Sequence, residues 1–158
     1  EAVLRRGDLT VLAVDALDQG NAFVRRLERA DVAAEVVDAG GIGAAVLAAD
    51  VVLIEALAAG SGDLLAVPGS RAAASVGYCS EVPVWAVLGL GRVLPEMAFT
   101  SVVERVADVR VPWAAEADVV PLALASHVVR GDGVLPVEQV ALSAECPLAS
   151  ELLRSSRA

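Results

Sequence analysis

Three acidic residues are the first candidates for chemistry, because Asp15, Asp38 and Glu55 each follow a short apolar run. The three runs are Thr10–Val14, Ala33–Val37 and Val51–Ile54. Each reads as a buried strand, and ligands in open α/β sheets bind at the carboxyl ends of the strands. The pattern therefore predicts a ligand pocket formed by the three acids. The alternative is that each acid caps the following helix or marks the return of the chain to solvent.

The turn Pro68-Gly69-Ser70 is a second candidate site, since it precedes an alanine-rich run that ends at Tyr78. Proline followed by a small polar residue suits the first turn of a helix. Backbone amides at Gly69 and Ser70 could then bind an anion. An ordinary helix N-terminus is the alternative interpretation.

The remaining reactive groups indicate no enzyme class. His127, the only histidine, lies in an apolar run without a neighbouring acid, which favours a packed imidazole over a general base. Gly41-Ile42-Gly43 and Gly89-Leu90-Gly91 lack the third small residue of a dinucleotide fingerprint. Cys79 and Cys146 are far apart and have no histidine pair, so we expect no metal, no cofactor and a reducing cytoplasm.

The elements that must position these groups alternate between strands and helices. Val84–Leu88 is a fourth apolar strand, and an amphipathic helix begins at Asn21. Such βαβ units wind right-handed into a mostly parallel sheet that carries helices on both faces. The sequence thus predicts an α/β, Rossmann-like doubly wound fold. A later helix is predicted from Pro121 through His127.

Composition sets the outer limits of function. The chain has 158 residues, of which 56% are hydrophobic, and its formal net charge is −9. We expect one domain over residues 1–150 with a frayed tail over residues 151–158. The acidic balance disfavours nucleic acid, and no uncharged run approaches the length of a membrane span. The apolar excess leaves surface that a partner could cover, so a homodimer is expected.

Three segments occur in an order that matches a known family. They are Leu53–Ser75 (LIEALAAGSGDLLAVPGSRAAAS), Glu81–Val87 (EVPVWAV) and Ala117–Pro136 (ADVVPLALASHVVRGDGVLP). The matching residues are Gly62, Asp63, Gly69, Ser70, Ala74, Asp118, Val119, Pro121, Gly133 and Pro136. From about Thr10 to Pro136 the chain resembles the initiation-factor-2B family. That family comprises the alpha, beta and delta subunits of a translation factor's nucleotide exchanger, together with isomerases of methylthioribose 1-phosphate and ribose 1,5-bisphosphate.

The resemblance implies that this chain corresponds to the carboxyl-terminal Rossmann-like domain of that family. It also implies that most of the family's catalytic groups are replaced in this chain. The Asn-Lys pair that contacts the isomerase substrate corresponds to Ala66 and Val67. The family's arginine after the first strand has no counterpart in Asp15-Ala16-Leu17-Asp18, and its catalytic cysteine lies upstream of this chain. Of the catalytic pair only Asp38 remains.

The resemblance therefore predicts a domain for assembly or regulation, without isomerase activity of its own. Its expected partner is a second copy or a related subunit, in the cytoplasm. Two alternatives stay open. The chain could be part of a sugar-phosphate isomerase, or it could be a non-catalytic sensor that binds a sugar phosphate or nucleotide near Asp38, Glu55 and Ser70.

Overall fold

A computed structural model of the protein describes residues 8–106, 111–140 and 142. Strands and helices alternate along this part of the chain. The strands are β1 (Thr10–Val14), β2 (Ala33–Val37), β3 (Val52–Ala59), β4 (Asp63–Ala66), β5 (Val84–Leu88), β6 (Asp118–Pro121), β7 (His127–Arg130) and β8 (Gly133–Pro136). The helices are α1 (Gly20–Glu28), α2 (Ile42–Ala48), α3 (Ser70–Cys79) and α4 (Glu96–Val106).

Six of the strands form one sheet in the order β6-β4-β3-β5-β7-β8. The β3–β5 and β5–β7 pairs are parallel, whereas β4 and β8 run antiparallel to their neighbours. Four strands, β6, β3, β5 and β7, therefore point in the same direction. β1 and β2 form a separate parallel ribbon, and no strand pairing joins it to the sheet within the described residues. The predicted α/β, Rossmann-like class is confirmed.

The main core lies between the sheet and helices α2 and α3. β3 contributes Val52 and Ile54, and β5 contributes Val84, all less than 10% exposed. Gly77 of α3 lets the helix approach closely, because a Cβ at this position would lie 2.6 Å from the Val84 Cγ2 atom. Small residues thus set the spacing of this layer.

Helix α4 packs on the opposite face of the sheet, at its β4 end. Phe99 of α4 is 5% exposed and forms a second core cluster with Ala58, Leu65 and Ala117. A bulge between Ala56 and Ala58 shifts the register of β3 against β4. Helices therefore lie on both faces, as predicted, although α4 covers only part of its face.

The predicted helix from Pro121 through His127 is wrong. The segment contains only a 3-10 turn at Leu122–Leu124, and His127 begins β7, where it lies opposite Trp85 of β5. Pairing with a strand distant in sequence overrides the local helical pattern. The tail predicted over residues 151–158 lies outside the described residues.

Candidate functional site

Asp15 and Asp38 end neighbouring strands at one edge of the ribbon. The parallel register places Val14 opposite Val37, so the two acids are the next residues on either strand. The backbone N–H of Asp15 donates to the carbonyl oxygen of Val37 at 2.9 Å. The structure thus brings these two predicted site residues together.

The Asp15 carboxylate is already used by the chain itself. Its Oδ1 atom accepts a hydrogen bond from the backbone N–H of Gly20 at 2.7 Å, and Oδ2 accepts one from the Asn21 side chain at 3.4 Å. Gly20 begins α1, and carboxylates are favoured at helix N-termini because free N–H groups point toward them. This contact is the one that the capping interpretation predicts.

Asp38, in contrast, is open to solvent. Its backbone is extended, and its carbonyl oxygen accepts a hydrogen bond from Gly41 N–H at 2.8 Å in the 3-10 turn Ala39–Gly41. Within the part of the chain that the structure describes, its carboxylate forms no hydrogen bond or ion pair. Asp38 is therefore the acid of this edge that remains free to meet a ligand.

Gly69 and Ser70 form the turn into α3. Gly69 has a φ of +89°, a left-handed conformation that favours glycine, and a Cβ there would lie 3.1 Å from Ile42 Cδ1. Ile42 begins α2 four positions after Asp38, so this turn lies near the same part of the molecule. Ser70 is buried, and its backbone N–H donates to the Val67 carbonyl at 3.2 Å.

A carboxylate already sits at the start of α3, where an anion was expected. The Oδ2 atom of Asp118 accepts a hydrogen bond from Arg71 N–H at 2.9 Å, and Arg71 Nη1 donates to the Val119 carbonyl at 3.4 Å. A second negative group would be repelled at this position. Sequence reasoning used Asp118 only as a motif match, because no local pattern connects residues 47 positions apart.

The predicted placement of Glu55 at a strand end is wrong. β3 continues to Ala59, so Glu55 lies in its interior, opposite Val87 of β5. A charged residue does not end a strand when its side chain points to solvent, and the Glu55 side chain is 72% exposed. Its Oε1 atom lies 3.7 Å from Arg92 Nη2, and Arg92 Nη1 donates to the Leu57 carbonyl at 2.9 Å.

His127 is a packed imidazole, as expected. Its ring lies against Trp85, with centroids 5.5 Å apart. Its Nδ1 atom is 3.1 Å from Ser126 Oγ, which donates to the Val84 carbonyl at 3.0 Å. Among the described residues, no group of three or more histidine, cysteine or acidic side chains could hold a metal ion. Nor does this part of the chain contain a helix of the length and hydrophobicity needed to cross a membrane.

The fold of the chain is similar to that of several solved structures. Subunit delta of translation initiation factor eIF-2B from A. fulgidus matches with a TM-score of 0.68 and 15% identity, over 82% of this chain and 44% of that one. The 5-methylthioribose 1-phosphate isomerase of Pyrococcus horikoshii OT3 matches with a TM-score of 0.65 and 15% identity, over 82% and 43%. The chain has the initiation-factor-2B fold.

A third structure with this fold is an assembly. The tetrameric eIF2B-beta2-delta2 complex from C. thermophilum matches with a TM-score of 0.57 and 18% identity, over 82% of this chain and 50% of that one. The chain thus spans half or less of the length of these three proteins. No family model matches the sequence, and no curated protein matches it. The resemblance inferred from the motifs is confirmed at the level of the fold.

Proposed function

We propose that this chain is an initiation-factor-2B-like domain that acts in assembly or regulation and has no isomerase activity of its own. The observation that supports the proposal is that the chain's own carboxylates bind backbone N–H groups at two of the positions where a ligand was predicted. Asp15 binds the start of α1, and Asp118 binds the start of α3. The fold is kept, while the groups that would hold a phosphorylated sugar are engaged or replaced.

The side chains at the positions of the isomerase's Asn-Lys pair also support the proposal. Ala66 is fully buried and Val67 is aliphatic, so neither side chain can donate a hydrogen bond or carry a charge to a phosphate. Asp38 could move a proton, but proton transfer is efficient only when the substrate is held within hydrogen-bonding distance of the base. A solvent-exposed carboxylate without a phosphate anchor does not meet that condition.

The fold also supports a subunit-type partner. One of the matched proteins is a tetramer of two kinds of subunit, and we propose that this domain likewise associates with a second copy or a related subunit. Cys79 is a free, exposed thiol, which fits the reducing cytoplasm that we propose as its compartment.

A sugar-phosphate or nucleotide sensor is the second candidate. The Asp38 carboxylate favours it, since this side chain is exposed and has no hydrogen-bond partner among the described residues. In this case, as in that of a partial isomerase, the ligand would bind the folded chain and raise its thermal stability.

Thermal unfolding in the presence of ribose 1,5-bisphosphate or methylthioribose 1-phosphate separates these functions. A ligand at 100 times its dissociation constant stabilises the folded state by about 2.7 kcal/mol, which is a shift of several degrees for a domain of this size. We expect a change of less than about 1 °C for the wild type and for Asp38→Asn. A larger shift that Asp38→Asn removes would contradict the proposal and establish a ligand site.

A further inference from the structure

Helix α1 presents a cluster of arginines to solvent. Its inward residues Val24 and Leu27 are buried, whereas Arg25, Arg26 and the C-terminal cap Arg29 are exposed. Successive residues lie about 100° apart around a helix, so the three arginines share the side opposite the two buried residues. We call the surface formed by these three arginines the arginine face.

No acid neutralises the arginine face within the described chain. There, none of the three guanidinium groups forms an ion pair or a hydrogen bond, although the chain has 21 acidic residues. Arg29 lies four positions after Arg25 and three after Arg26, and like charges at these spacings repel each other. The negative end of the helix dipole favours cations here, but it supplies no carboxylate. A partner can supply one.

An aromatic ring borders the arginine face. Phe23 is 37% exposed, and the Arg26 guanidinium carbon lies 5.3 Å from the centre of its ring. This cation–π contact restricts the arginine side chain, so less conformational entropy is lost when the guanidinium binds a further group. The surface thus combines positive charge with an apolar contact.

The arginine face lies away from the predicted ligand edge. Helix α1 begins at Gly20 beside Asp15, and the chain then enters β2 at Ala33. Since a helix that connects parallel strands runs opposite to them, the last turn of α1 lies toward their amino ends. Asp38, in contrast, follows the carboxyl end of β2. A ligand at Asp38 and a partner on the arginine face would occupy different sites.

We propose that the arginine face binds an acidic segment of a partner protein. The proposal rests on the assembly or regulatory role proposed above and adds the surface and the chemistry of the partner. Guanidinium groups pair with carboxylates through two parallel hydrogen bonds, and Phe23 offers a contact to one apolar side chain among the acids. Residues 23 to 29 span about 9 Å along the helix axis, which suits a segment of a few residues.

The charge of the whole chain favours a short acidic segment over a nucleic acid. A duplex carries one negative charge per about 1.7 Å along its length, so it would also approach the other surfaces of this chain. The net charge of −9 repels such a polyanion. A short segment contacts only the arginine face, where the attraction is local.

Binding of a short peptide tests the proposal. The probe is a fluorescein-labelled peptide of glutamates with leucine at every third position, and the control peptide has glutamine in place of each glutamate. Fluorescence anisotropy should show that the protein binds the glutamate peptide and not the control. We expect the dissociation constant to rise about 10-fold between about 50 and 300 mM NaCl, because salt screens exposed ion pairs.

Substitution of single arginines locates the binding surface. Arg25→Gln and Arg29→Gln should each raise the dissociation constant about 3-fold, and the triple variant that adds Arg26→Gln should raise it about 10-fold or more. Arg105→Gln is the matched control, because Arg105 is an exposed arginine of α4 and its loss changes the net charge equally. Circular dichroism should show all variants folded. Equal effects of Arg105→Gln and Arg29→Gln would overturn the arginine face as the site.

The aromatic ring has a test of its own. Phe23→Ala should weaken binding of the leucine-containing peptide about 3-fold, and it should affect a peptide with serine in place of leucine less. Equal effects on the two peptides would overturn the apolar part of the proposal.

The outcomes separate this inference from the proposed function. A wild type that binds no glutamate peptide up to about 1 mM would overturn the inference and leave the assembly role standing. Tighter, arginine-dependent binding of a single-stranded oligonucleotide of equal charge would overturn the choice of a protein segment. A dimer that only the triple variant dissociates would assign the face to a second copy instead. Sugar-phosphate binding that Asp38→Asn removes would contradict the proposed function, while peptide binding that Asp38→Asn leaves unchanged would keep the arginine face as a separate site.

Discussion

Two carboxylates in this chain, Asp15 and Asp118, accept hydrogen bonds from backbone N–H groups at the starts of helices. Both lie where a ligand-binding acid or an anion would be expected in an α/β protein. A helix N-terminus has unsatisfied N–H groups and a partial positive charge, so a nearby carboxylate stabilises it in the same way that a phosphate would. An acid at a strand end is therefore weak evidence for a ligand unless its oxygens are free.

Replacement of Asp15 measures this structural role. Asp15→Ala removes the acceptor of the Gly20 N–H and should lower the free energy of unfolding by about 1 kcal/mol. Asp50→Ala, at an exposed acid before β3, is the control and should change it by less than about 0.5 kcal/mol. Urea denaturation followed by circular dichroism gives both values. Equal free energies of unfolding for the two variants would show that Asp15 does not stabilise the start of α1, and Asp15 would again be a candidate for ligand binding.

The sequence predicts which acids reach the strand ends better than it predicts what they contact. Asp15 and Asp38 follow their strands as expected, because an apolar run ended by a charge is a local signal. The contact of Asp118 with Arg71 joins residues far apart in sequence, so only the folded chain shows it. Glu55 was misplaced because alternation on a half-exposed strand admits a charge in its interior.

At the scale of elements, close packing of α3 on the sheet depends on one glycine. Gly77 faces Val84 with no room for a methyl group, and the Val82 carbonyl lies 3.2 Å from the same position. The sequence predicted β1, β2 and β5 with their observed bounds, because each strand is a short apolar run followed by an aspartate or a glycine. The segment from Pro121 to His127 failed because its strand forms only through pairing with β5.

Two glycine replacements in helices should have opposite effects. Gly77→Ala forces a Cβ to within 2.6 Å of a valine methyl, and we expect a net destabilisation of about 1–2 kcal/mol despite the better helix propensity of alanine. Gly43→Ala in α2 meets no atom within 4 Å and should stabilise by about 0.5 kcal/mol. Thermal and urea unfolding measure both. If both variants gained stability, the helix–sheet spacing would be looser than described.

At the scale of the whole molecule, the chain carries a large negative charge. The chain has 21 acidic and 12 basic residues, which gives it a formal net charge of −9. Two copies that associate as proposed above would therefore repel one another. Salt screens that repulsion, with a Debye length that falls from about 10 Å at 0.1 M to about 3 Å at 1 M.

The dimer should therefore become tighter as salt increases. We expect the dissociation constant of the wild type to fall severalfold between about 50 and 500 mM NaCl, because screening weakens the repulsion between two chains of the same charge. Sedimentation equilibrium at several salt concentrations measures the change. A dissociation constant that rose with salt would contradict this expectation and would indicate that ion pairs hold the copies together.

The Asp118 carboxylate at the start of α3 also limits the introduction of a phosphate-binding site at this position. An engineer who wished to install a phosphate group there would first have to remove this carboxylate, and would thereby loosen α3 from β6. A cation would then have to be introduced at Ala66 or Val67, the first of which is sealed inside the core. Removal of the Asp118 contact would therefore cost stability before any phosphate site was gained.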